Sequence, residues 1–415
     1  MPTPVLATCR CSCFGARARL ESLPALPAAT SRALMPDLLR AFALIGIAVV
    51  NVSGFAVPAA DGFYRGGLET GADQIAFKAM AALFLMKSYP LFAMMFGAGL
   101  AWQMDAATRQ AADGGARYFR RMAALVLLGT VHFVFFWYGD ILLTYGLLGC
   151  LLFTLRGASA KALVQIGISL ITLNTLILFL LAAVIGAGDA YAPEEMAKAR
   201  DPEIDAAQVQ IFTSGSFMDA AAWRLSQLPL VLPGILIQQG IAVFGYFCLG
   251  LAAVKAGIVD QPNAPVWKLA RWVFLPVGML GSLWAANLMA RAETIISGEY
   301  MLANAVMMAF SAFSAIGYAG VVALAAKGSP GPIRRFLARA GSASLTAYLL
   351  QSLILSFIFA GYGLGLFGQM RAADAIFIAL CVGMASLLFT GIWRSFAARG
   401  PFEVLLRRVT YWGRA

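Results

Sequence analysis

Residues 132–149 read HFVFFWYGDILLTYGLLG, an apolar run in which His132 and Asp140 are the only acidic or basic side chains. An ionisable group at membrane depth costs about 2.5–3.5 kcal/mol on insertion scales, so each such group needs a partner or a task. His132 is the single histidine of the 415-residue chain, so any imidazole chemistry must use it. Working outward, apolar stretches of similar quality recur on both sides, each long enough at about 20 residues to cross a hydrocarbon core of about 30 Å as a helix. The alternation of polar and apolar residues that a membrane strand needs is absent.

Composition supports the same fold class. The chain is 61% hydrophobic and 12% charged, against about 25% charged in a soluble domain. An all-α, polytopic transmembrane helix bundle is expected, with about ten spans near 36–58, 73–103, 118–138, 140–156, 161–187, 226–254, 268–290, 300–326, 335–360 and 374–396. With these spans, 22 of the 31 Lys and Arg residues fall in alternate loops, the six opposite loop positions being Arg65, Lys198, Arg200, Arg224, Arg291 and Arg371. Cytoplasmic loops carry such an excess, which predicts both termini on the cytoplasmic side. The net charge of +11 is explained in this way. A nucleic-acid partner would need a basic face on a soluble domain, and none is present.

The flanks of the ten-span domain, 35–396, are distinct. Residues 1–34 are rich in Ala, Pro, Ser and Arg and lack the apolar core of a signal peptide. They read as a disordered cytoplasmic arm or as an upstream start that the cell does not use, Met35 standing just before the first span. Cys9, Cys11 and Cys13 have no nearby histidine, and no metal site is expected. Cys150, Cys248 and Cys381 sit singly in apolar segments as small hydrophobes. The outer loop 188–225 is acidic and is either a lid over an outward-facing site or a solvated connection, with a short surface helix over its EEMAKAR stretch. Residues 397–415 form a basic amphipathic tail in which Phe402, Leu405, Leu406 and Val409 oppose Arg407 and Arg408, suited to anionic membrane lipid.

Several polar residues compete with bland explanations. Asp140 follows Gly139 at the turn between two spans, where an aspartate caps a helix, or serves chemistry with His132 as general base or acyl acceptor. Sequence spacing alone does not determine whether the two meet. Lys87 interrupts its span three residues before Pro90, which kinks the helix and opens a polar spot; the lysine lines a functional cavity or pairs structurally. Asp37 and Arg40 share a helix face at the start of the first span, as an ion pair or as a holder of phosphates, and Asn51 continues that face upward. Tyr348 and Gln351 lie at i and i+3 in a later span, where polar side chains glue membrane helices together or face a substrate.

Taken together, PDLLRAFALIGIAVVNVSGF, KSYPLFAMMFGAGL, GTVHFVFFWYGDILLTYGLLG, GSASLTAYLLQSLI, GLGLFG and GPFEVLLRRVTYW resemble the YeiB family of bacterial inner-membrane proteins, in the same order and over essentially everything after residue 32. The family carries a domain of unknown function and is similar in architecture to membrane acyltransferases such as the heparan glucosaminide acetyltransferase. That resemblance implies a multi-pass inner-membrane protein that passes an acyl group from cytoplasmic acyl-CoA to an envelope lipid or glycan acceptor. On this reading His132, Asp140 and Lys87 are catalytic, Asp37 and Arg40 hold the donor, and Asn51, Tyr348 and Gln351 face the substrate. Ala41 and Ala347 depart from the family pattern, which has Gly and Asn there. The same buried ionisable residues also fit a proton-coupled secondary transporter, and a noncatalytic membrane scaffold is the third reading.

Overall fold

The computed structural model describes residues 34–59, 62–63, 67–199 and 202–412. The N-terminal arm with Cys9, Cys11 and Cys13, and the loop positions Arg65 and Arg200, lie outside the described residues. Every described regular element is helical.

Helix α1 (Leu34–Ala56) begins at what we term the proximal end of the bundle and finishes at the distal end. The chain returns through α2 (Gly71–Leu83) and α3 (Ser88–Arg109). The expected single span at 73–103 is one crossing, Gly71–Arg109, whose helix is interrupted at residues 84–87; Pro90 supplies the reason, its ring displacing the carbonyl four residues back, at Met86, which takes a positive φ of 55°. Helix α4 (Gly114–Phe135) rises to the distal end, and α5 (Leu142–Leu152), extended by a 3₁₀ turn to Leu155, comes back.

The long α6 (Ala160–Tyr191) is followed by α7 (Pro193–Ala199), over the expected short helix, and by α8 (Pro202–Ser214). Helices α9 (Phe217–Ile235) and α10 (Ile241–Lys255) run together through a π-helical segment. This span opens at Phe217, nine residues before the expected 226, because Ser216 and Asp219 form a reciprocal capping box. Pro229 and Pro233 lie inside α9. The backbone groups disturbed at the π segment are taken up by the buried Asn174 of α6, which donates to the Ile237 and Gln238 carbonyls and accepts from the Ala242 N–H.

Helix α11 (Pro265–Leu269) leads through a second π segment into α12 (Leu275–Met289), and α13 (Gly298–Ala325) returns to the proximal end. The expected span 335–360 is a broken pair, α14 (Pro332–Gly341) and α15 (Ser344–Phe359), bent by 74°. Gly341 lies so close to α1 that a Cβ there would stand 1.9 Å from the Asp37 carbonyl oxygen, which only glycine permits. Helix α16 (Ala372–Phe396) is the last long crossing, and α17 (Pro401–Thr410) lies at the proximal end.

Eight helical segments among the described residues are long and apolar enough to cross a membrane, or nine when α14 and α15 count as one broken span. The expected tenth, 140–156, contains only the helix Leu142–Leu155, about 21 Å long at 1.5 Å per residue, too short for the hydrocarbon core. The chain still changes ends there. Phe135 stacks on Phe217 at the distal end, whereas Phe153 stacks on Tyr118 at the proximal one. Residues 136–141 complete the return without helical structure, and irregular backbone at membrane depth is tolerated only where protein buries it. Trp137 and Asp140 of this corner are both buried.

The tail helix packs against the bundle. Phe402 and Leu406 pack against the bundle core, and Glu403 accepts hydrogen bonds from the Leu345 and Thr346 N–H groups and the Thr346 hydroxyl. It thereby satisfies the opened start of α15, which no local side chain caps.

Candidate functional site

The irregular corner after α4 brings His132 and Asp140 together. His132 lies about 27 Å along α4 at 1.5 Å per residue, toward the distal end. Its Nδ1 is 2.6 Å from Asp140 Oδ2, with both side chains at most 1% exposed. The other carboxylate oxygen, Oδ1, accepts the Leu143 N–H at 2.7 Å at the start of α5. Asp140 is thus a helix cap and the partner of the histidine at once, and the start of a helix favours its negative charge.

The third member is Tyr348 of α15. Its hydroxyl donates to Asp140 Oδ2 at 3.4 Å, and its ring lies 5.0 Å from the imidazole. This approach of three elements depends on Gly129. A Cβ there would come within 2.2 Å of the Leu143 nitrogen and 2.7 Å of Asp140 Oδ1, so α4 and the start of α5 can touch only at a glycine.

With Nδ1 hydrogen-bonded to a carboxylate, it carries the ring proton and the lone pair resides on Nε2. Nε2 is buried and has no hydrogen-bond partner among the described residues. Buried polar atoms are nearly always paired. An imidazole pinned by an aspartate, with its other nitrogen unengaged, is poised to take a proton or attack a carbonyl. One helical turn beyond Asp140, the Thr144 hydroxyl is likewise buried and unpartnered among the described residues.

The remaining expected residues are distributed elsewhere. Lys87 does not touch His132 or Asp140. Its ammonium, 1% exposed, donates to the Ala81 and Leu85 carbonyls at 3.3 and 2.8 Å and lies 3.2 Å from the Met307 sulfur. These are neutral acceptors, two of them backbone groups released where α2 ends, so the lysine amine closes the helix break. Gln351 also turns away: its Nε2 donates to the Leu44 carbonyl of α1 and to Ser386 of α16. Asp37 and Arg40 form an ion pair of 2.7 Å in the first turns of α1, at the proximal end. Arg121, whose Nε is buried without a partner among the described residues, lies in electrostatic range of Arg40.

Asn51 lines a cavity of about 240 Å³ at the distal end, with Ser53, Tyr138 and Tyr300 as further polar groups and Trp137 among its walls. Over the same corner lies the segment read as a lid or a connection. Phe217 stacks on Phe135 and meets Phe136 at a tilt of 57°, and Arg224 donates to the Phe135 carbonyl at 3.0 Å. Sequence reasoning gave no site role to Arg224, Trp137, Thr144 and Glu403; of these, Trp137, Thr144 and Glu403 lay inside motifs already quoted, and Arg224 carried no local signal.

Known proteins resemble the chain along most of its length. A sequence model of the family described as "Protein of unknown function (DUF418)" matches residues 253–413. The chain is 28% identical over 392 residues to "Uncharacterized protein YxaH" of Bacillus subtilis (strain 168), covering 90% of this chain and 93% of that one. It is also 28% identical over 388 residues to "Uncharacterized protein YeiB" of Escherichia coli (strain K12), covering 90% and 95% respectively. Over 90% of its length the chain is thus similar to YeiB-like proteins. A third relative, the "Uncharacterized 39.9 kDa protein in amylase 3'region" of Bacillus acidopullulyticus, is 22% identical over 389 residues, or 90% of this chain. No solved structure matches. Matches over 90% of the chain include the corner that carries His132 and the α15 helix that carries Tyr348, and the apolar helices make the chain a multi-pass membrane protein.

Proposed function

We propose that this protein is an acyltransferase of the bacterial inner membrane, with His132 as general base. The observation that carries the proposal is the 2.6 Å contact between His132 Nδ1 and Asp140 together with a buried, unengaged Nε2. The His132 group as described comprises an imidazole, a carboxylate and a phenol, so the attacking nucleophile is assigned to the acceptor substrate.

In the proposed reaction a hydroxyl or amine of an envelope lipid or glycan attacks the thioester carbonyl of acyl-CoA while its proton passes to Nε2. The new ester or amide bond forms, the carbon–sulfur bond breaks, and the imidazolium returns the proton to the departing thiolate, giving the acylated acceptor and free CoA. Asp140 holds the tautomer and stabilises the imidazolium, and Tyr348 fixes Asp140. Arg40 and Arg121 at the proximal end, on the cytoplasmic side in this reading, supply charge for the donor phosphates. Neither cavity described beside the corner is lined by His132. Substrate therefore reaches Nε2 when the packed corner opens, and the overlying 202–225 segment is the element that must yield.

The test uses purified protein in lipid with labelled acetyl-CoA, following label on protein, lipid and added glycan. Transfer by the wild type that disappears in His132→Ala, with both proteins showing the same thermal midpoint, supports the proposal. Absence of thioester cleavage with every acceptor would sink it.

A further inference from the structure

Arg224 is 2% exposed, and no described carboxylate lies within ion-pair distance. Its described neighbours are neutral: the Phe135 carbonyl, the Tyr362 hydroxyl and the face of Phe212 at 5.0 Å. The acid on its own helix, Asp219, is exposed and is engaged with the hydroxyl and N–H of Ser216. A buried guanidinium with hydrogen bonds but no counter-charge retains much of its desolvation cost.

Beside it is a cavity of about 10 Å³ with Arg224, Trp137, Tyr138 and Ser356 as its polar lining and Phe136 and Phe212 among its apolar walls. That is room for one water-sized occupant. Its polar lining is rich in donors and contains no carboxylate. The Trp137 Nε1–H in particular is buried and has no acceptor among the described residues, although the side chain is only 6% exposed. A neutral water would satisfy these donors and leave the charge uncompensated, whereas a small monovalent anion would do both.

We propose that this cavity is a binding site for a chloride-sized anion, held by Arg224, the Trp137 N–H and the Tyr138 hydroxyl. Arg224 already ties α9 to the end of α4 and to Phe212 of α8, so the anion fastens the 202–224 segment over the corner that carries His132. The site is independent of the acyl-transfer reading, because its ligand and its readout involve neither acyl-CoA nor His132.

The experiment is hydrogen exchange of residues 202–224 in the full chain, held in phosphatidylcholine nanodiscs that contain no anionic headgroup. Sodium chloride is titrated against sodium gluconate at constant ionic strength. Exchange through local opening should slow in a saturable manner, by about tenfold when chloride stands at about ten times its dissociation constant. Bromide should replace chloride, and sulfate, which is too large, should not. Arg224→Gln should abolish the response. Because that variant removes a structural hydrogen bond, Trp137→Phe is the second probe: it keeps the ring, deletes one donor and should raise the half-saturating chloride several-fold. Superimposed chloride and gluconate curves in the wild type overturn the site. So does an equal response to sulfate, or a wild-type response in the Trp137→Phe protein.

Discussion

Replacing Asp140 with asparagine tests the site with almost no change in volume. The aspartate accepts three hydrogen bonds, from Leu143 N–H at 2.7 Å, His132 Nδ1 at 2.6 Å and the Tyr348 hydroxyl at 3.4 Å. An amide has one acceptor oxygen, and its NH₂ can accept from neither a backbone N–H nor a protonated Nδ1. The arrangement that keeps the helix cap points the oxygen at Leu143 and the NH₂ at His132, which forces the imidazole to accept at Nδ1 and moves its proton to Nε2. The base is then lost. In a Ser-His-Asp triad the same exchange lowers kcat by about 10⁴, and a fall of about 10³–10⁴ in acyl transfer is expected here. The stability cost should be about 1–3 kcal/mol, the penalty of impairing buried hydrogen bonds to a charged group. Because the chain has one histidine, ¹⁵N-histidine labelling of an otherwise histidine-free preparation gives the tautomer directly by NMR. Wild type should show a protonated Nδ1 and an unprotonated Nε2, and Asp140→Asn the reverse. A wild-type spectrum with the proton on Nε2, or no change in the variant, would refute the reasoning whatever the activity.

Three further outcomes follow from the packing. Gly129→Ala should lower the thermal midpoint by an amount equivalent to about 1–3 kcal/mol, since its methyl must displace the Leu143 backbone and Asp140 Oδ1, and should reduce transfer more than stability alone explains; an unchanged protein would mean that α4 and α5 are not in contact there. Lys87→Met should leave specific activity per folded molecule within about twofold even if the break loosens, because its partners are carbonyls and a sulfur and include neither His132 nor Asp140; loss of activity in a protein of unchanged thermal midpoint would restore the lysine to the site. Glu403→Gln should cost about 0.5–2 kcal/mol through the weakened start of α15, measurable in urea unfolding, and should increase hydrogen exchange around Thr346 before it affects α4.

How far the sequence reaches differs from element to element. Pro90 announced the break between α2 and α3, because a ring without an N–H acts on a carbonyl four residues away. Ser216 and Asp219 carried a capping box, so the early start of α9 was readable but was overridden by the acidic character of the loop. The 74° bend between α14 and α15 had no comparable local signal, since it is held by Glu403 from a helix 58 residues further on and by the close approach of Gly341 to α1. Tyr348 and Gln351 show the limit most directly. Three residues apart on one helix, they meet different neighbours, Tyr348 the corner with Asp140 and Gln351 the helices α1 and α16.

The sequence by itself determined that this is a polytopic helical membrane protein, because hydrocarbon admits no unpaired backbone and only long apolar helices or closed barrels meet that condition. It also singled out His132 and Asp140, because charge at membrane depth is costly enough to mark its own position. Tertiary structure decided which of these expensive groups keep company. The non-helical segment 136–141 turns Asp140 onto His132, Gly129 lets the two helices close, and α15 delivers Tyr348, whereas Lys87 is secured by the carbonyls of its own break. The contacts within this site join residues 8 and 208 positions apart, and distances of that kind are set by how helices pack and bend, quantities that no window of sequence contains.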